Sequence, residues 1–206
     1  MAISAKECGA VILAGGTSSR MGRSKVLLTV NGKTMLERTR EALSDFDEVI
    51  LSANDPSLEG NLVRVEDRFP GGGPLAGLHA ALCRTEKSAL LCLPCDLPGV
   101  DRRLPRLLLE AMPQHVQAMI CRDSAGRLHP LCGIFRKSLL PVLERSLVGG
   151  QYKVMDFIGQ VPYTCLDTAG LLPDQFFFNM NTPEDYLRAQ TVCPERAGED
   201  FGDDTT

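Results

Sequence analysis

The chain has 206 residues, 44% of them hydrophobic and 23% charged, with a formal net charge of −4. That length suffices for one well-buried core and about one domain, and the acidic balance excludes a broad nucleic-acid surface. No apolar run approaches the roughly 20 residues that span a bilayer, and the Ala10 to Ala14 run after Lys6 and Glu7 is too brief for a signal-peptide core, so the expectation is a cytoplasmic protein without membrane contact.

From the N-terminus, Ala10 to Ala14 reads as a strand that breaks into Gly15 and Gly16 and then into a loop carrying Arg20, Arg23 and Lys25. Glycines let backbone N–H groups approach a ligand, arginine offers a planar fork and lysine a point charge, which together suit the phosphates of a nucleoside triphosphate. The spacing fits neither a Walker loop, which needs Gly-Lys-Ser/Thr where this chain has Gly22-Arg23-Ser24, nor a dinucleotide fingerprint, since the glycines fall at 15, 16 and 22. Val26 to Val30 leads to the turn Asn31-Gly32, and Thr34 is placed to cap a helix from Met35 to Leu43. Glu48 to Ala53 is a second strand ending at Asn54, and Leu62 to Val65 is a third that delivers Glu66 and Asp67. Pro70 to Gly77 is a glycine-rich entry to a helix whose Leu75, Leu78 and Leu82 follow helical spacing. Ser88 to Leu93 is a fourth strand with Asp96 beyond its end, and Leu104, Leu107, Leu108 and Ala111 mark the next helix.

The second half is less regular. Ala118 to Arg122, the turn Asp123-Ser-Ala-Gly126 and Leu128 to Phe135 read as a hairpin, with His129-Pro130 interrupting its second arm. Lys137 to Leu147 is a helix candidate despite Pro141, ended by Gly149-Gly150, and Val154 to Ile158 is a short helix. Phe176 to Phe178 reads as an aromatic strand that leads into Asn179 and Asn181, followed by Thr182 as N-cap, Pro183 at the first helical position and Asp185 three residues after the cap. Residues 1–190 are expected to form one domain, and 191–206, rich in Glu and Asp, an acidic disordered tail.

Strands followed by helices at this spacing imply an α/β fold: a single-domain, Rossmann-like, mostly parallel sheet with helices on both faces. Ligands bind such sheets at the carboxyl ends of the strands. The glycine loop, Asn54, Asp67 and Asp96 all stand at such ends and can converge on one crevice. Asp67 and Asp96 are read either as turn residues or, opposite a triphosphate, as groups of the kind that hold Mg²⁺, which takes one or two carboxylates plus phosphate oxygens and waters.

Eight cysteines without a secretion signal read as reduced thiols. Cys92-Leu-Pro-Cys95 has C-x-x-C spacing, and His79 and Cys83 lie four apart. A structural zinc ribbon normally uses two close cysteine pairs, so these residues are read as small buried hydrophobes.

Leu-Ala-Gly-Gly-x-Ser-x-Arg-Met-Gly-x-x-Lys, from Leu13 to Lys25, resembles the signature of nucleotidyltransferases with a glycosyltransferase-A-like fold, and most of all the molybdenum cofactor guanylyltransferases. The resemblance continues through Asp67 ahead of Gly73-Pro-Leu-Ala-Gly77, Cys95-Asp96-Leu97-Pro98, His129-Pro130 and Asn179-Met-Asn-Thr-Pro-Glu184. It implies transfer of GMP from GTP to molybdopterin, with Mg²⁺ on Asp96 and the nucleotide at Leu13, Ala14, Gly15, Gly16, Lys25, Asn54, Asp67 and Asp96. It places the acceptor beside Asn179, Asn181 and His129, and its implied partners are molybdenum cofactor biosynthesis proteins and molybdoenzyme chaperones. A CTP-dependent or sugar-phosphate enzyme of the same fold, or an idle nucleotide-binding protein, shares most of these features. Among the catalytic residues, Lys25 and Arg20 are assigned to phosphate charge. No general base is assigned, because a phosphate nucleophile is already ionised near neutral pH, and His129 is as readily a structural residue as a base.

Overall fold

The structure, a computed structural model, describes residues 3–15, 25–58 and 62–192. Its central strand β1 (Cys8–Leu13) is buried at all six positions, as expected of a strand covered on both faces. A one-turn helix at Lys25–Leu27 precedes the small hairpin β2 (Thr29–Val30) and β3 (Lys33–Thr34), whose turn uses Asn31 and Gly32 with φ of 47° and 79°. Left-handed values at both positions are the reason for an Asn-Gly pair there. Helix α1 (Met35–Ala42) opens on a complete capping box: Thr34 Oγ1 accepts from the Glu37 amide at 3.2 Å, and Glu37 Oε2 accepts from the Thr34 amide at 2.7 Å.

Beyond it come β4 (Val49–Ser52), β5 (Val63–Val65), α2 (Pro74–Arg84), β6 (Ala89–Pro94) and α3 (Arg103–Ala111). The second half adds β7 (Ala118–Arg122), β8 (Leu128–Arg136), α4 (Leu140–Val148), α5 (Val154–Ile158), β9 (Tyr163–Asp167) and α6 (Pro183–Val192). Seven strands form one sheet in the order β5-β4-β1-β6-β8-β7-β9. β5, β4, β1 and β6 are mutually parallel, β8 runs antiparallel to β6 and β7, and β9 pairs parallel with β7. The carboxyl ends of β1, β4, β5, β6, β7 and β9 therefore share one end of the sheet. Alternate side chains feed two cores. Ala10, Ile12, Leu51 and Leu91 pack with Leu43, Leu104 and Leu108 on one face, while Val11, Ile50, Leu90 and Cys92 pack with Leu75, Leu78, Leu82 and Leu143 on the other.

Three expectations need correction. His129-Pro130 does not break the hairpin arm: the register steps from Ile120 opposite Gly133 to Cys121 opposite His129, so Pro130 falls in a bulge where no ladder N–H is demanded. Gly133 marks the same spot, since a Cβ there would collide with the Met119 carbonyl oxygen. The aromatic run is a one-turn helix, Asp174–Phe177, rather than a strand. Phe176 and Phe177 are both buried in the same core, and consecutive residues of a strand would point to opposite faces. Strand β9 was not anticipated at all. Pro141 sits in the first turn of α4, where its missing N–H costs nothing. Helix α6 continues to Val192, past the expected start of the tail, and residues 193–206 lie outside the described ones.

Candidate active site

The strand ends enclose an open cleft of about 310 Å³. Its floor is built by the sheet itself. Beyond the end of β1, Ala14 N donates to Ser52 O at 2.9 Å, and Cys95 N donates to Leu13 O at 3.1 Å, so the ladder runs on into the loops that carry the functional groups. Leu13, Ala14, Gly15, Lys25, Asn54, Asp67 and Asp96 all line this one cleft, although they are scattered over 84 positions of sequence from first to last (13 to 96). Gly16 and Arg20 lie outside the described residues.

Gly15 has no left-handed φ, and a Cβ built on it would meet nothing within 4 Å among the described residues. Its glycine therefore serves space in the cleft rather than backbone conformation. Asn54 and Asp67 close a ring: Asn54 Nδ2 donates to Asp67 Oδ2 at 2.8 Å, and the Asp67 amide donates back to Asn54 Oδ1 at 2.9 Å. The pair ties the loop after β4 to the loop after β5 and fixes the Asp67 carboxylate at the rim.

Helix α2 borders the opposite wall through Gly73, Pro74 and Gly77. Gly73 takes φ of 60°, a value that favours glycine, and no side chain caps the helix start, so the positive end of its dipole borders the cleft. Gly77 has a packing reason. A Cβ there would collide with the Ser52 hydroxyl oxygen and lie 3.2 Å from Leu13 Cδ2, so only glycine lets α2 come this close to β4 and β1. Ser52 is a cleft residue that sequence reading passed over. The one signal for it was a hydroxyl closing an otherwise apolar strand, Val49-Ile-Leu-Ser52.

Asp96 is the most unusual group here. Burial pushes its carboxyl above the ordinary range, against the pull of Lys25 and of its own backbone N–H. Its Oδ1 is buried with no hydrogen-bond partner among the described residues. A buried carboxylate oxygen without a donor is costly, and it fits a site meant to receive a cation. Lys25 Nζ donates to Asn181 Oδ1 at 2.6 Å, and the Met180 amide donates to the Asp96 carbonyl at 2.9 Å, so the Asn179–Asn181 run is held at the cleft edge. Asp185 Oδ2 accepts from the amides of Asn181 and Thr182, both at 2.9 Å, which sets that run at the start of α6. Asn179 is exposed.

His129 is placed differently from the rest. It does not line the cleft; it is buried, with Nε2 2.9 Å from Asp123 Oδ2 and its ring stacked on Phe177. Cys95 lines the cleft, but burial raises its thiol to about 12, and burial also raises Cys92, so neither is a thiolate near neutral pH. Among the described residues no three His, Cys, Asp or Glu side chains gather into a metal cage, and no helix is long and apolar enough to cross a membrane.

A mostly parallel sheet whose strand ends gather Gly15, Asn54, Asp67 and Asp96 at one cleft with Lys25 suits the α/β class of nucleotidyltransferases. Residues 10–162 match the family model of the MobA-like NTP transferase domain, and the chain belongs to that family. It is 37% identical over 181 residues to a probable molybdenum cofactor guanylyltransferase of Carboxydothermus hydrogenoformans, covering 85% of this chain and 91% of the relative. A protein of the same description from Pelotomaculum thermopropionicum is 36% identical over 197 residues, covering 89% and 92%. Among solved structures, molybdopterin-guanine dinucleotide biosynthesis protein A from Archaeoglobus fulgidus superposes with a TM-score of 0.76 at 25% identity, over 90% of this chain and 98% of that one.

Proposed function

We propose that the protein transfers GMP from GTP to the terminal phosphate of molybdopterin, releasing pyrophosphate and forming the guanine dinucleotide cofactor. The observation that carries this reading is the pairing, in one cleft, of Lys25 with the orphaned Oδ1 of Asp96, next to the Asn179–Asn181 run. An oxygen of the acceptor phosphate attacks the α-phosphorus of GTP, the bond to the bridging oxygen of pyrophosphate breaks, and the electron pair leaves with pyrophosphate. The attacking phosphate is already ionised, so no side chain has to remove a proton.

The protein's share is positioning and charge. Lys25 donates to Asn181 and brings a positive charge to the cleft, and that charge is assigned to the phosphate oxygens. Arg20 is assigned to the same phosphates. Gly15, Gly16, Leu13 and Ala14 give the nucleotide a close approach to backbone, and the Asn54–Asp67 ring offers a fixed carboxylate to the donors of guanine. Mg²⁺, held by Asp96 with phosphate oxygens of GTP, would supply charge neutralisation during transfer. Asn179 and Asn181 face the acceptor side. Residues 1–190 are read as one catalytic domain.

The test is pyrophosphate release with GTP, CTP and ATP, each with and without molybdopterin, in Mg²⁺ and in chelator. Release that requires GTP, molybdopterin and the metal together is the expected outcome. Turnover with a sugar 1-phosphate and none with molybdopterin would overturn it.

A further inference from the structure

At the same end of the sheet as the cleft lies a second polar cluster that the transfer reaction does not use. Nε2 of buried His129 meets Asp123 Oδ2 at 2.9 Å, and because an ionised carboxylate only accepts, Nε2 carries the proton. The other carboxylate oxygen, Asp123 Oδ1, accepts from the amides of Ala125 and Arg127 at 3.0 and 2.8 Å, which fixes the carboxylate plane. The His129 ring stacks on Phe177 with centroids 4.2 Å apart and planes 19° apart. In the same turn the Ser124 hydroxyl donates to the Asp174 carboxylate.

The turn between β7 and β8, with the start of β8, thus holds the one-turn helix Asp174–Phe177 at its first and last residues. That helix leads into the segment that contacts two of the cleft residues, Lys25 and Asp96. Met180, three residues after Phe177, donates its amide to the Asp96 carbonyl, and Asn181, four after it, receives Lys25. So short a chain between two anchored points has little slack with which to absorb a shift of Phe177.

We propose that Asp123 is a positioning residue: by fixing His129 against Phe177 it sets the Asn179–Asn181 run against Asp96 and Lys25, and so orients the acceptor side of the cleft. The part that concerns the acceptor rests on the function proposed above; the part that concerns the segment does not. His129 in this account touches neither substrate.

The test compares Asp123→Ala, Asp123→Asn and His129→Phe with the unaltered chain in two measurements. The first is amide hydrogen exchange of the ligand-free protein. Asp123→Ala should speed exchange at Met180 and Asn181 by about tenfold or more while the amides of α2 keep their protection. Asn at 123 can keep its oxygen on the Ala125 and Arg127 amides and donate its NH2 to Nε2 of the other imidazole tautomer, so it should restore protection. His129→Phe keeps a flat ring against Phe177 but has nothing for Asp123 to hold, and it should behave like Asp123→Ala. The second is steady-state transfer, where Asp123→Ala should raise the KM for molybdopterin on the order of tenfold with the KM for GTP changed less than about twofold. Protection lost evenly across the sheet, or Asn failing to restore it, would reduce the pair to a structural contact and overturn the proposal. So would unchanged exchange, a molybdopterin KM that stays put, or equal shifts in both KM values. Should the unaltered chain release no pyrophosphate with GTP and molybdopterin, the proposed function fails, while the exchange measurement still decides the positioning role.

Discussion

At Asp96 the demands of folding and of chemistry oppose each other. The strand β6 carries the residue to the cleft, and the packing around it buries Oδ1 without a donor, a situation that costs on the order of 1–3 kcal/mol in a folded protein. Asp96→Asn removes the charge and keeps the shape, so the ligand-free protein should melt at the same temperature or higher, while turnover in Mg²⁺ should fall by on the order of 3 kcal/mol of transition-state stabilisation. Thermal unfolding and kcat measured on one preparation check both halves. A variant that lost stability and kept its rate would remove Asp96 from the cation site. Gly15 makes the complementary case. A Cβ there meets nothing within 4 Å among the described residues and borders the cleft, so Gly15→Ala should leave stability nearly unchanged and act on what enters the cleft. A narrower cleft disfavours a purine relative to a pyrimidine, so kcat/KM for GTP over CTP should decrease in Gly15→Ala, and an unchanged ratio would place base selection elsewhere.

Elements show where sequence reading succeeds and where it stops. Thr34 and Thr182 were legible as caps because capping is settled within four residues: each accepts from the amide three residues on, and Glu37 and Asp185 reach back. Both carboxyls are held below the ordinary range by hydrogen bonds, Glu37 chiefly by the Thr34 amide and Asp185 chiefly by the Asn181 amide. A depressed folded pKa means that this stabilisation is complete above about pH 4.5 and lost as pH falls through the lowered values. The difference in Tm between the protein and Glu37→Ala or Asp185→Ala should therefore be largest near neutral pH and shrink below about pH 4. The convergence of Asn54, Asp67 and Asp96 was legible for a topological reason, since parallel strands bring their carboxyl ends together. His129 was not, because its surroundings, Asp123 and Phe177, come from a turn and a helix 54 positions apart (123 to 177). Nor was the contact of α2 with the sheet. Gly77→Ala should gain about 1 kcal/mol of helix propensity and lose about 1–3 by overpacking against Ser52, for a net loss. In a Ser52→Ala background the colliding oxygen is gone and the Ser52 Cβ stands at 3.4 Å, so the same change should become neutral or stabilising. A double-mutant cycle by denaturant unfolding reads this directly, and additive effects would mean that the two residues do not collide.

On the scale of the whole molecule, the two large cores leave one part of the active site to a third and smaller one. Val30, Met35, Met180 and Ala189 form a separate buried cluster that joins the β2–β3 hairpin and α1 to α6. Around it, Tyr186 Oη and Gln190 Nε2 donate to the Thr29 carbonyl at 3.0 and 2.9 Å, and the Asn31 amide donates to Gln190 Oε1 at 3.0 Å. The cluster flanks both sides of the Lys25–Asn181 contact: Lys25 begins the turn that leads into β2, and Asn181 follows Met180 directly. Helix α6 is therefore packed against the elements that carry Lys25 and Asn181, although it lies beyond the matched family region at residue 162. A chain ending after Val192 should keep its Tm and its kcat/KM for GTP. A chain ending after Thr182 exposes Met35 and Met180, each worth about 1.5–3 kcal/mol when fully buried, and should lose on the order of that much stability together with most of its turnover. Because the large cores do not involve α6, the shorter chain should still show a cooperative transition and the exchange protection of β1 and β6. Loss of that protection would mean that the small cluster supports the whole sheet, and full activity without α6 would separate it from Lys25.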